Sequence, residues 1–146
     1  MRRIIFILLL AVYLSGGAAQ LPVNPAVQRI LNAQDLRIAD DKVMLDAIRY
    51  RTSQDASRLA ILAAGRIGSP AALELFSSIL NKKDPSLKPL AAFAMSLLPE
   101  PNAPVILTQN LPMHRDPELR KWLIRGIGRA GGEKQLAVLA GILSEE

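Results

Sequence analysis

Apolar positions along residues 57–143 fall into columns. Setting Ser57, Lys88 and Arg120 in register, with spacings of 31 and 32 residues, brings Leu59, Leu90 and Trp122 together. Ala60, Ala91 and Leu123 then coincide, as do Ala64, Met95 and Ile127, and Ile67, Leu98 and Ala130. Within each copy the spacing i, i+1, i+5, i+8 is the inner stripe of an amphipathic helix. A second stripe follows, in which Leu73, Leu75, Phe76, Ile79 and Leu80 match Leu136, Val138, Leu139, Ile142 and Leu143. The middle copy offers Pro104, Ile106, Leu107, Asn110 and Leu111 at the same places. Between the stripes, Gly65-Arg66-Ile67-Gly68 returns as Gly128-Arg129-Ala130-Gly131, with Ser96-Leu97-Leu98-Pro99 as a degenerate copy. Each copy therefore predicts helix, tight turn, helix, and stacked copies bury their apolar faces against one another.

Punctuation supports this division. Asp84-Pro85 and Asp116-Pro117 predict helix starts, because aspartate satisfies orphan amides and proline at the first helical position loses nothing. Pro70 and Pro101 read as first-turn prolines of the second helices, whereas Pro89 falls about a turn inside a first helix and makes the middle copy the most irregular. Ahead lies a divergent pair, Ala26 to Arg37 with Val27, Ile30, Leu31 and Leu36, then a helix capped by Asp40-Asp41 with Val43, Met44, Ala47 and Ile48. The expected fold is all-α, a right-handed α-solenoid of about three and a half helix pairs over residues 26–146.

In such an array the exposed side of the second helices forms the inner wall. Its columns read Glu74, Val105 and Ala137; Ser77, Thr108 and Ala140; Ser78, Gln109 and Gly141. Small, nearly uncharged side chains admit another helix or an extended segment closely, so the expected partner is a protein or peptide. The last helix ends at Leu143-Ser144-Glu145-Glu146 without a polar cap, which leaves room for a partner, for self-association, or for a downstream domain lost by truncation.

The first residues change the compartment. Arg2 and Arg3, the eleven-residue apolar run Ile4 to Leu14 and the small-residue site Gly17-Ala18-Ala19 predict a signal peptide, residues 1–19, cleaved before Gln20. Residues 20–25 are then an extended lead-in. As a retained anchor the run would fall short of the roughly 18–20 apolar residues that span a bilayer. Loss of both leader arginines lowers the formal charge from +5 to +3. The remaining basic residues are dispersed and the bulky aromatics are only Trp122, Tyr50, Phe76 and Phe93, which argues against nucleic acid. Cysteine is absent, so the chain has no thiolate chemistry and no N-terminal lipid attachment. The expected location is extracytoplasmic, periplasmic or secreted, with no membrane span after cleavage.

Candidate chemistry is thin. Gly126-Ile127-Gly128-Arg129-Ala130-Gly131 matches the dinucleotide fingerprint in letters, but that fingerprint works only between a strand and a helix, and here it sits in a helical stripe. His114, the sole histidine, lies in a predicted solvated loop without a second ligand. Trp122 shares its column with leucines and is expected in the core, while Arg120 with Lys88, and Arg66 with Arg129, are expected to make bonds between copies or to face solvent. No catalytic, metal or cofactor residues are expected.

Asp116-Pro117-Glu118-Leu119-Arg120 and Asp84-Pro85-Ser86-Leu87-Lys88, with Gly65-Arg66-Ile67-Gly68-Ser69-Pro70-Ala71-Ala72, resemble the short HEAT repeats of bacterial relatives of the phycobilin lyases, over residues 53–146. This resemblance implies a scaffold that holds other proteins. Ile30 to Arg37, leading into Asp40, is similar to the N-terminal HEAT region of exported cyclophilin-type prolyl isomerases. Nothing in the chain resembles the isomerase domain itself. The expected function is therefore a non-catalytic exported adaptor for an envelope protein, with a truncated HEAT portion of such an isomerase as the alternative.

Overall fold

The computed structural model describes residues 24–144. The predicted leader, the lead-in up to residue 23 and the terminal Glu145-Glu146 lie outside them. Among the described residues the chain is all-helical, with eight α-helices, one 3-10 turn and no strand. They are α1 Pro25–Asp35, α2 Lys42–Tyr50, α3 Gln54–Ile67, α4 Ala72–Asn81, α5 Lys88–Met95, α6 Ala103–Asn110, α7 Pro117–Ala130 and α8 Glu133–Ser144, with the 3-10 turn Leu111–Met113 after α6. None is long and apolar enough to cross a membrane.

The helices lie in two files. Odd-numbered α1, α3, α5 and α7 each touch the next in that series, and so do even-numbered α2, α4, α6 and α8. Every even helix also packs against the odd helices before and after it, apart from α8 with its single odd neighbour α7. Three of the predicted columns lie along the seam, whereas Leu136 and Val138 of the second stripe are exposed. Ala60, Ala91 and Leu123 are buried, as are Ala64, Met95 and Ile127, and Phe76, Leu107 and Leu139 from the second stripe.

Small residues make the joints between odd helices. A Cβ on Gly65 would stand 2.8 Å from the Ala94 carbonyl oxygen and 3.0 Å from its Cα, so α3 and α5 meet almost backbone to backbone. The next joint uses the equivalent positions: a Cβ on Gly126 of α7 would lie 3.3 Å from Ser96 Cβ of α5 and 3.5 Å from the Ala92 carbonyl oxygen. Gly128, which occupies the Gly65 position of α7, would meet nothing within 4 Å.

Polar groups tie α1, α3 and α7 to the segments packed beside them. Buried Ser57 Oγ donates to the Ala47 carbonyl at 2.8 Å, and Arg120, in the same column, donates to the Leu111 and His114 carbonyls at 3.1 and 3.2 Å. The bonds expected between copies are therefore present at Arg120, while Arg66 and Arg129 are exposed and Ser57 adds a bond beyond those expected. Buried Asp41 caps α2 by accepting from Met44 N at 3.0 Å and pairs with Arg29 Nε at 3.0 Å. Asp40 does not cap; it is exposed and accepts from Ser69 Oγ at 3.5 Å.

Several boundaries differ from expectation. Asn24 is the N-cap of α1, so the helix begins at Pro25. Asp116 caps α7 as predicted, accepting from Leu119 N at 2.7 Å. Asp84-Pro85, however, does not start α5: Asp84 Oδ1 accepts from Ser86 N in a local turn and the helix begins at Lys88. Pro89 is the reason. A helix running from Pro85 would drive the Pro89 ring into the Pro85 carbonyl and lose an amide donor, so the chain turns first and Pro89 falls in the opening turn. Pro70 and Pro101 likewise stand two residues ahead of α4 and α6, inside the connecting turns.

The two glycine turns are also unlike. Gly68 is left-handed at φ 78°, and the amides of Gly68 and Ser69 close the helix end on the carbonyls of Gly65 and Ala64. Gly131 leaves α7 extended at φ −81°, ψ 151°, without a left-handed residue. Gly126 and Gly128 are inside α7, so the fingerprint-like stretch presents helical backbone and no phosphate-binding turn.

Candidate functional site

The predicted wall lies on α4, α6 and α8, consecutive members of the even file. Glu74, Ser78, Val105, Gln109, Ala137, Ala140 and Gly141 are exposed, and Ser77 and Thr108 are half-buried. Val105, Thr108 and Gln109 line a shallow hollow of about 150 Å³ whose α8 side is supplied by Lys134, Gln135 and Val138. Ala137, Ala140 and Gly141 do not line it. Thr108 Oγ1 donates to the Pro104 carbonyl at 2.8 Å, which leaves the hydroxyl oxygen as an acceptor.

A more developed surface lies on the odd file. Phe93 of α5 and Trp122 of α7 meet edge to face, with centroids 5.4 Å apart and planes at 71°. Two hollows share this pair. One, of about 520 Å³, runs towards α3 along Arg58, Leu62, Pro89 and Leu90. The other, of about 420 Å³, runs along Ser96, Arg125, Gly126 and Arg129. Joined at Phe93 and Trp122, they form a groove across α3, α5 and α7, successive members of the odd file, with apolar side chains on its floor and cations at its edges.

Trp122 therefore packs against the core without being enclosed in it. It is half-buried, like Leu59 and Leu90 in its column, because the odd file has a solvent side and this column sits at its margin. Its indole Nε1 donates to Glu118 Oε1 at 2.8 Å. Lys121 Nζ and the Arg125 guanidinium stand 5.6 and 5.4 Å from its ring centroid, and Arg129 stands 5.4 Å from that of Phe93. Glu118 also accepts from Lys121 Nζ at 2.6 Å, and these two hydrogen bonds hold its carboxyl below the ordinary range. Column position alone suggested core; the cue that could have revealed the groove is the helical spacing of Lys121, Arg125 and Arg129 around Trp122 on one flank of α7.

Comparison with known proteins finds no family model, characterised relative or solved structure that matches this chain. Chemistry must therefore be read from the side chains. Among the described residues no cluster of three or more histidines or carboxylates could hold a metal.

His114 is half-buried after the 3-10 turn, with Nε2 3.3 Å from Asn110 Oδ1. Burial and then the Lys88 charge lower its pKa from 6.5, against an opposing pull from Asp116. The native state thus binds this proton less readily than the unfolded chain does. Stability should fall as pH drops through about 6.5 towards the lower native value, and be regained above it. Urea midpoints at pH 7.5 and 5.5 check this: His114→Gln should flatten the difference that histidine contributes, and an unchanged difference would remove His114 from the account.

Proposed function

We propose that this chain is a right-handed α-solenoid of HEAT-like helix pairs, exported with loss of its leader, that acts as a non-catalytic scaffold for another protein of the cell envelope. The observation that carries this reading is the repeated joint between odd helices. Gly65 against Ala94 and Ser96 against Gly126 use the same pair of positions one copy apart. Repetition of one joint is how a stacked array grows without a closed core, and it leaves the outer face of each file open along its length. The even-file face from Glu74 to Gly141 is one such surface, and the odd-file groove is another.

A C-terminally tagged chain recovered from the envelope fraction, with intact mass measured, tests the proposal. One stoichiometric companion and a mass lacking residues 1–19 are expected. Ser77→Arg and Ala140→Arg, which place bulky charge on the even-file face, should each reduce recovery of that companion at least tenfold while leaving the helical circular dichroism unchanged. A processed chain recovered alone would sink the scaffold reading, and acceleration of proline-peptide isomerisation by the purified chain would overturn its non-catalytic character.

A further inference from the structure

The groove of the odd file has the composition of a site for one kind of ligand. Leu62, Pro89, Leu90, Phe93 and Trp122 give it an apolar floor, and Arg58 and Arg125 stand at its edges. Among the described residues neither arginine forms an ion pair within 4 Å, although Arg125 lies against the Trp122 ring and its charge acts on Glu118, whose hydrogen bonds go to Lys121 and the indole. The field over the floor is therefore positive. Resting on the scaffold reading, we propose that this groove binds an extended acidic peptide segment of the partner, in which Asp or Glu alternates with large apolar residues.

Size and chemistry both favour this occupant. Odd helices packed at about 8–10 Å give a span near 20 Å from α3 to α7, which is about six residues of extended chain. In an extended segment alternate side chains point to opposite sides, so apolar anchors can enter the floor while the intervening carboxylates reach the rim. Arginine at the rim suits them because its planar fork binds a carboxylate with two parallel hydrogen bonds. Single-stranded nucleic acid fits less well. Its bases would need a run of separate ring faces to stack on, and the groove offers two rings that already contact each other edge to face. The arginine rim disfavours the leader, whose charged residues are Arg2 and Arg3.

Trp122 is the only tryptophan, so its emission reports on this groove alone. The probe is the acetylated hexapeptide Glu-Leu-Asp-Phe-Glu-Leu, titrated into the chain at low salt and followed by Trp122 emission and by anisotropy of a labelled copy. Saturable binding is expected, weakened at least tenfold by Arg58→Glu with Arg125→Glu, by Lys in place of the peptide's acidic residues, and by 0.5 M salt. Both arginines are exposed, and unchanged circular dichroism would establish that the doubly substituted chain is folded. A milder pair, Arg58→Gln with Arg125→Gln, should give an intermediate loss.

Absence of saturable binding overturns the proposal, as does a charge-reversal effect below twofold. A thymidylate octamer that binds more tightly than the peptide would assign the groove to nucleic acid, and a concentration-dependent change in Trp122 emission without peptide would assign it to a second copy of the chain. Failure of the peptide with companion recovery intact would sink the groove and leave the scaffold standing. Peptide binding by a chain that recovers no companion would do the reverse.

Discussion

Alanine at Gly65 is expected to destabilise the protein by about 1–3 kcal/mol, while the same substitution at Gly128 should stabilise it by about 0.5–1 kcal/mol. The two glycines hold equivalent positions near the ends of α3 and α7, so local propensity treats them alike: each gains what alanine gains over glycine in a helix. Tertiary surroundings reverse the sign at one of them. A Cβ on Gly65 meets the carbonyl oxygen of Ala94 at 2.8 Å, and backbone cannot swing aside as a flexible side chain can. Either α3 and α5 separate, opening the seam around Ala60, Ala64 and Ala91, or one of them bends. A Cβ on Gly128 meets nothing within 4 Å. Urea denaturation of both variants, with valine at position 65 as a more severe case, measures the contrast. Equal effects of one sign would mean that α3 and α5 do not approach so closely in solution.

Truncation along the column Phe76, Leu107 and Leu139 should give a graded series. These residues belong to α4, α6 and α8 and are 0%, 0% and 9% exposed. Phe76→Ala is expected to cost about 3–5 kcal/mol and Leu107→Ala about 2.5–5 kcal/mol, because each leaves a cavity that packed neighbours on both sides cannot fill by collapse. Leu139→Ala should cost about 1–2 kcal/mol, because α8 packs chiefly against α6 and α7 and its other surface, carrying Leu136 and Val138 at 45% and 44% exposure, faces solvent. Linear extrapolation of urea curves provides the values. A loss at Leu139 as large as at Phe76 would show that α8 is covered in solution, as self-association through that face would do.

Much of the site was less legible than the fold, for a reason visible at Trp122. Alignment places it with Leu59 and Leu90 and so predicts the core, since large apolar residues in one column usually share one environment. They do share one, but it is the half-buried margin of the odd file, where an aromatic ring can face outward and gather cations. Periodicity separates buried from exposed faces well; it resolves the boundary between them poorly, and grooves are built at boundaries. The even-file face shows the complementary case. Of the nine wall positions that the columns give, Glu74, Ser78, Val105, Gln109, Ala137, Ala140 and Gly141 are exposed and Ser77 and Thr108 only half so, and the hollow beside α6 takes Lys134, Gln135 and Val138 from α8. Which residues of two neighbouring helices come face to face depends on the helices' rotation and offset, which column alignment does not contain.

Helical character, the buried stripes of the seam and the caps at Asp41 and Asp116 can be read from the residues alone, because each depends on interactions within about a turn of one helix or on a periodicity written along it. Tertiary structure decided the rest. It made Gly65 a spacer between helices and left Gly128 in open space, although both stand in one column. The same packing set an arginine rim beside Phe93 and Trp122 from residues on α3 and α7 that lie far apart in the chain. These outcomes rest on contacts between helices, whose distances are fixed only when the neighbouring backbone is in place.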